Sequence, residues 1–584
     1  MLESGVIGAR TRTVNPQRLT VAIGFVVAIL VLLLARLAWV QCVQHDMWAG
    51  LASRAHFAGI TIPADRGFIL DRDGRQLAVT CKVDSVWANP RAISDPLRTS
   101  YALSRILKKD ARVIYARLTR RRYFIWIKRK VTPAEAQAVV QARLYGVGLV
   151  PENRRFYCDG SLAAHVTGFV DIDDRGRAGI EAQFDSLLAG TPGYQVVRRD
   201  GLSRTMACYP PDKAPQHGNS VILTIDSRIQ AITREEVVDA AQKFGAQWAI
   251  GIVMDPQTGD ILAMVSYPDY DPNAYSRATP DMMRNRSIGD WYEPGSTFKP
   301  FTLAALLTTG AATPQTRFFC ENGYCSFGGH KVRDVHGYGS LTLKEVIVKS
   351  SNIGIIKAGA LLGPQNLSAW LRGFEFGKKT GIELPGEATG LLRPVSQWSS
   401  YSMSSIPMGQ EVAVTGIQLI RGFCTFANGG YLVKPRIVLG IATTDGSVSL
   451  KSFEPQKKQF LPEAVARLIG GDILADVVQS GTGTAAKLAT YQIGGKTGTS
   501  QIARTNGRGY EPGAFVGTFV GMAPVDNPKL VVLVSLGRPR RAHYGGTVSA
   551  PAVARIVERS LFCYGSPVLA SRGKRPGSGG TSND

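Results

Sequence analysis

Apolar positions follow three different patterns along this chain. From Leu19 to Val40 they are almost continuous. Leu19–Ala35 carries no charge, and Arg36 sits near the outer end, where its stem can lie along lipid while its head reaches water. As a helix this run spans roughly 33 Å, enough to cross a bilayer core. A cleaved signal peptide is the alternative, but no A-x-A site follows and Gln41-Cys42 does not resemble a lipoprotein cleavage site. The run is therefore read as an uncleaved anchor, residues 19–40. Arg10, Arg12 and Arg18 before it agree with a cytoplasmic N-terminus, residues 1–18.

From residue 41 to about 225 the apolar runs are short and mixed. Pro63–Ala78 reads as strand and turn, with Asp73-Gly74 at the turn. Thr132-Pro133 opens a helical stretch ending near Leu144, and Gly179–Gly193 is a further mixed segment. Arg117–Lys130 alternates charge with Tyr, Phe, Ile and Trp, which predicts a strand with one buried face and solvated charges. No catalytic constellation falls in this region, so 41–225 is expected to be a non-catalytic pedestal.

From Ser220 the runs become longer and more apolar. Ser220–Asp226 predicts a buried strand and Gln230–Lys243 a helix. Ala249–Met254 and Ile261–Ser266 predict a hairpin around Pro256–Gly259. A strand following Gly494-Gly495, then Ala514–Met522 and Leu530–Leu536, close the series. Strands at both ends with helices between them predict an α+β domain, residues 226–564, whose antiparallel sheet is flanked by helices. The Gly-, Ser- and Arg-rich residues 565–584 predict a disordered tail.

At 44% hydrophobic and 19% charged, the 584 residues suffice for two or three packed domains. The net charge of +23 is first a solvated basic surface, and next an attraction to anionic lipid or a polyanionic wall polymer. Nucleic acid is not expected, because no aromatic-interleaved basic motif or zinc-finger spacing is present. Eight cysteines lie too far apart for a disulfide scaffold. Only Cys320 and Cys325 are close, in a glycine-containing loop, and an oxidising compartment would let them bond. His330 and His336 follow, but C-x4-C-x4-H-x5-H is not an established zinc spacing, and no metal or cofactor is expected.

The chemistry concentrates in Trp291–Pro300. Ser296 and Lys299 are three residues apart on one helix face, which sets an amine beside a hydroxyl that is otherwise a poor nucleophile. Pro294-Gly295 marks the turn into the helix, leaving unpaired N–H groups near the serine. Alone, S-x-x-K is common. Two more elements follow in order: Ser350-Ser351-Asn352, and Lys496-Thr497-Gly498-Thr499. The ordered set S-x-x-K, S-x-N, K-T-G belongs to serine acyl-transfer sites.

With these motifs, the anchor, the R-G-x-I-x-D-R-x-G-x-x-L-A element at Arg66–Ala78 and Gly179-Ile180-Glu181, the chain resembles a class B penicillin-binding protein. Val83–Pro90 and Met283–Lys299 resemble the septal, FtsI-type members. Met408–Asn428 also resembles the family, although Met408-Gly409-Gln410-Glu411 departs from the aromatic variants of some members. The resemblance implies a D,D-transpeptidase that crosslinks peptidoglycan stem peptides ending in D-Ala-D-Ala and is acylated by β-lactams. Ser296 would be the nucleophile, and Lys299 would take its proton if burial and a cation such as Lys496 keep it neutral, the base being disputed across this superfamily. Ser350 would relay a proton and Asn352 hold the peptide amide. Lys496, Thr497 and Thr499 would bind the terminal carboxylate, Gly498 would allow close approach, and the N–H groups of Ser296 and Thr499 would form the oxyanion hole.

The implied location is the inner membrane, single-pass, with the catalytic domain outside the cytoplasm. The implied partners are an FtsW-type glycan polymerase and other divisome membrane proteins. Docking is expected through the anchor and Pro63–Ala78, with charge reversal at Arg66 or Arg72 as its test. Competing readings are an elongation-type transpeptidase, a D,D-carboxypeptidase or β-lactamase, and a non-enzymatic division scaffold or β-lactam sensor.

Overall fold

The computed structural model describes residues 16–199, 205–208, 212–327, 329–444, 447–449, 454–504 and 509–563. The tail expected from residue 565 lies outside them. The chain forms two compact units. The first is Met1–Pro63 with Thr191–Gln216. In it, helix Pro16–Ala38 runs on through a π-type turn, Trp39–Val43. The result is a 28-residue apolar helix with no buried residue, which fits a single-pass membrane anchor. Helix His45–His56 follows, then an antiparallel sheet of Phe57–Ile62, Gly193–Arg199 and Thr205–Cys208 in that order.

The second unit is Ala64–Gly190 with His217 onward. It holds a five-stranded antiparallel sheet in the order Ile261–Tyr267, Trp248–Met254, Leu530–Gly537, Tyr510–Ala523, Gly494–Ala503. Alternation along Leu530–Gly537 explains its place. Val532, Val534 and Leu536 join one core with the helices Ser227–Phe244 and Ala550–Cys563, while Val531 and Leu533 join another with Gly416–Ala427. Asp226 caps the first of these helices and Gly245, left-handed, ends it. The K-T-G residues therefore lie on an edge strand, paired on one side only.

A second sheet runs Val448–Ser449, Val438–Ala442, Ser220–Leu223, Ile69–Leu70, Gln76–Ala88, Ile125–Lys128, with Val147–Tyr157 also on Gln76–Ala88. Ser220–Leu223 lies parallel to Ile69–Leu70 and antiparallel to Val438–Ala442. A strand from late in the chain thus completes the early sheet, so segments from both sides of 225/226 share it.

Two expectations are corrected here. Only Ile125–Lys128 of the Arg117–Lys130 run is strand, and Arg117 lies in the last turn of helix Ala111–Leu118. Several of its charges are paired: Lys128 with Glu135, Arg129 with Glu152 and Asp173, and Lys130 with Asp174. Arg66 is not a surface docking residue. It is 5% exposed and binds Glu181 (Nε–Oε2 2.5 Å) and Asp185 (2.7 Å), while Arg155 holds the other Glu181 oxygen at 2.6 Å. Glu181 is fully buried. Two arginines around one carboxylate satisfy a charge that would otherwise be very costly in the interior.

Candidate active site

Ser296 lies in a 3-10 turn, Gly295–Phe298, and the α-helix proper is Lys299–Thr309. In a 3-10 turn, residues i and i+3 eclipse, so Ser296 and Lys299 share one side even though the helix begins after the serine. Behind them is a phenylalanine cluster. Phe298 lies 5.0 Å from Phe376, and Phe301 lies 4.9 Å from Phe374 and 5.6 Å from Phe423, all five rings buried. This packing fixes the helix against the core and directs its polar start toward the edge strand.

The turn is clasped on two sides. Gly295 N–H donates to Gly409 O at 2.9 Å. Gly409 has φ +86°, and a Cβ there would lie 2.1 Å from Gly295 O. On the other side a Cβ at Gly498 would lie 2.8 Å from both Pro294 O and Thr297 Cγ2. The nucleophile turn and the K-T-G strand touch backbone to backbone, and only glycine permits it. Met408-Gly409-Gln410-Glu411 is therefore part of the scaffold of the site.

Lys299 and Lys496 are fully buried, whereas Ser296, Ser350, Asn352 and Thr499 are partly exposed. Lys299 Nζ contacts Ser350 O at 2.6 Å, Asn352 Oδ1 at 2.8 Å and Ser350 Oγ at 3.3 Å. Lys496 Nζ donates to Ser350 Oγ at 3.0 Å and Thr497 O at 3.2 Å. One hydroxyl thus bridges two buried amines. Burial pushes the Lys299 amine down to about 7, against a smaller upward pull from Asp334. Lys496 is pushed well below the ordinary lysine value, by burial first and by the Lys299 charge second. The expected direction of influence is reversed: burial lowers Lys299, and Lys299 in turn depresses Lys496.

Ser350 is held at φ +61° where the helix Leu343–Val348 ends, and Ser351 caps the next helix, Asn352–Ala360, accepting from Gly354 N–H at 2.9 Å. Asp334 fastens this junction. It accepts from Ser351 Oγ at 2.5 Å, from Ile353 N–H at 3.2 Å and from Asn352 N–H. Asn352 Nδ2 donates to Arg333 O at 2.8 Å, so both ends of this amide are engaged, one of them with Lys299. On the edge strand, Thr497 Oγ1 meets Thr482 Oγ1 at 2.7 Å, and Thr499 Oγ1 accepts from Gly545 N–H at 3.1 Å.

Cys320 and Cys325, expected to pair, are both free thiols. Cys320 is turned into the core, its sulfur 3.4 Å from Ser351 Oγ, while Cys325 sits opposite Val332 on the strand Tyr324–Phe327. Sequence reasoning missed Asp334, Glu293 and Tyr510. An acid four residues after His330 in a glycine-rich loop carries no signal that it caps a distant motif.

The family model for the penicillin binding protein transpeptidase domain matches residues 249–558, and that for the penicillin-binding protein dimerisation domain matches 61–223. The chain is a class B penicillin-binding protein. Stage V sporulation protein D of Bacillus subtilis is 34% identical over 93% of this chain and 85% of its own length. The peptidoglycan D,D-transpeptidase FtsI of Escherichia coli is 31% identical over 92% and 90%. Among solved structures, penicillin binding protein 3 of Mycobacterium tuberculosis, complexed with aztreonam, superposes with a TM-score of 0.68. It is 27% identical and covers 87% of this penicillin-binding protein and 98% of its own chain.

Proposed function

We propose that this penicillin-binding protein is a serine D,D-transpeptidase that crosslinks peptidoglycan stem peptides through an acyl-enzyme on Ser296. The carrying observation is the Ser350 hydroxyl shared by Lys299 and Lys496. Two of the Lys299 contacts, Ser350 O and Asn352 Oδ1, act as acceptors and use two N–H groups. A neutral amine so held keeps its lone pair for a hydroxyl proton, and an amine with a pKa of about 7 is neutral in a useful fraction near neutrality. Ser296 Oγ attacks the carbonyl of the penultimate D-Ala and gives up its proton to Lys299. Ser350 passes a proton to the leaving D-Ala amine as the C–N bond breaks. The amine of a second stem peptide then attacks the ester, restoring the Ser296 hydroxyl and forming the crosslink.

Thr499 Oγ1 already accepts a backbone proton, so its O–H is available to donate to the substrate carboxylate. The approach of that carboxylate favours a proton on Lys496, against the downward push that burial and Lys299 give its amine. The N–H groups of Ser296 and Thr499 serve as the oxyanion hole, at roughly 3 kcal/mol per donor. The extended peptide adds to the free edge of Gly494–Ala503.

The reading places the anchor in the inner membrane with the catalytic unit outside the cytoplasm, in septal synthesis with an FtsW-type polymerase. The likeness to FtsI of Escherichia coli and the septal pattern of Met283–Lys299 support it. Mass spectrometry after penicillin treatment is expected to find the adduct on the peptide holding Ser296, and none in Ser296→Ala. An adduct elsewhere sinks the assignment. Depletion is expected to give filaments of normal width, whereas rounded cells with intact septa would assign the enzyme to elongation.

A further inference from the structure

A cavity of about 270 Å³ opens beside the antiparallel strand pair Tyr431–Val433 and Lys457–Gln459, on elements that carry none of the three motifs. Its charged wall is Arg421, Lys434, Lys457, Lys458 and Glu375, four cations against one carboxylate. Among the described residues no acid pairs with Lys434, Lys457 or Lys458. The other nearby acid, Glu387, is spent on the backbone N–H and hydroxyl of Thr380 and on Gly381 N–H. Lys457 instead lies over the Tyr431 ring, 4.9 Å from its centroid.

Arg421 is the unusual member. It is 2% exposed, on the buried helix Gly416–Ala427. Its Nη1 pairs with Glu375 at 2.9 Å and its Nη2 donates to Phe374 O at 2.8 Å, but its Nε–H is buried without a partner. Glu375 is itself half-exposed, so its neutralisation of Arg421 is incomplete. A buried guanidinium N–H left without an acceptor is costly for structure alone, and with three neighbouring lysines that no acid neutralises it suits an oxyanion.

We propose that this cavity binds a monosaccharide-sized ligand bearing a carboxylate or phosphate, with the anionic group between Arg421 and Lys434. The volume is many times the ~30 Å³ share of one liquid water, which leaves room for a sugar ring against Leu432 and Val433. Displacement of Glu375 toward solvent would free Arg421 for a forked contact. The site does not depend on the acyl-transfer reading, since it shares no residue with the Ser296 machinery.

The test is calorimetric titration of the full chain in detergent with N-acetylmuramic acid, glucose 6-phosphate, inorganic phosphate and uncharged N-acetylglucosamine. At least one sugar anion is expected to bind saturably, N-acetylglucosamine not at all, and Lys434→Glu with Lys457→Glu to weaken binding at least tenfold while penicillin labelling of Ser296 is unchanged. Carboxylate and phosphate sources are distinguished by which sugar binds. Failure of both sugar anions, retention of binding in the double variant, or binding of inorganic phosphate alone overturns the proposal. Arg421→Lys supplies a second check with the charge kept: loss of the fork is expected to weaken binding, and unchanged affinity removes Arg421 from the site.

Discussion

The Tyr510 hydroxyl donates to Glu293 Oε2 at 3.0 Å, joining the strand partner of the K-T-G strand to a residue in the nucleophile motif. The second Glu293 oxygen accepts from Glu411 N–H at 3.0 Å, and Glu411 stands at φ +58°. One carboxylate thus spans the hairpin, the turn before Ser296 and the Gly409 loop that clasps it. Losing a hydrogen bond to such a group costs about 1.5–3 kcal/mol. Glu293→Ala is expected to destabilise the fold by that order and to slow acylation, with Tyr510→Phe giving the milder form of both. Burial, the largest influence, holds the Glu293 carboxyl above the usual glutamate range. Its folded value is raised, so its contribution is complete below the ordinary glutamate pKa and is lost as pH rises through the raised value. Thermal unfolding of wild type and Glu293→Gln across acid pH checks this, because the glutamine variant is expected to lack that loss.

Lys299 gives the opposite sign. Its amine titrates at about 7, below the ordinary 10.5, so the fold penalises its proton. Stability from this group is present above 10.5, declines as pH falls through the interval, and levels off below about 7. Acylation by a penicillin is expected to rise with pH along a single titration centred near 7. Lys299→Arg is expected to abolish it, because guanidinium stays protonated throughout. A flat profile between pH 6 and 8 would remove Lys299 as the base.

Asp334 tests the same amine from outside the motifs. Its charge raises the Lys299 value, and its oxygens hold Ser351 Oγ and the N–H groups of Asn352 and Ile353. In Asp334→Asn the upward pull disappears while one acceptor oxygen remains. The acylation profile is expected to move to lower pH, with the plateau rate reduced as the Asn352 end of the site loosens. An unmoved midpoint would mean that the carboxylate acts on geometry alone.

The parts of this molecule legible in the sequence are those governed by local pattern. Leu530–Gly537 and Trp248–Met254 are buried runs that are apolar almost throughout, with Ser535 the polar exception, Thr132 and Glu135 form the capping box at the helix opened by Thr132-Pro133, and the three motifs carry their residue types at fixed places. What was illegible depends on contacts between distant segments. Val438–Ala442 reads as an ordinary strand, and nothing in it says that it pairs with Ser220–Leu223. Asp334 is one acid among many until Ser351 and Asn352 are brought to it. Cys320 and Cys325 are near neighbours in sequence, yet one is buried under Ser351 and the other lies on a strand. The depressed lysines follow from burial, which spacing does not report.

Arg66 carries the last prediction. Arg66–Ala78 and Gly179-Ile180-Glu181 both mark the family in sequence, and the fold joins them in one buried cluster. Arg66 Nη2 donates to Glu181 O at 2.9 Å as well as pairing with its carboxylate, and Arg155 Nη1 donates to Gly67 O at 2.7 Å. Burial lowers the Arg66 value, but Glu181 and Asp185 more than offset it, so its net shift is upward and the charge persists at every working pH. Removing one member leaves an uncompensated buried charge, at a cost of about 3–5 kcal/mol. Arg66→Glu is therefore expected to abolish folding and penicillin labelling together, rather than to weaken recruitment alone. Arg66→Met with Glu181→Leu removes both charges but leaves Arg155, so it is expected to recover stability only when Arg155→Met is added. Urea unfolding of the single, double and triple variants measures the coupling, and an Arg66→Glu protein that folds and still labels would show that this cluster is not what holds the early sheet together.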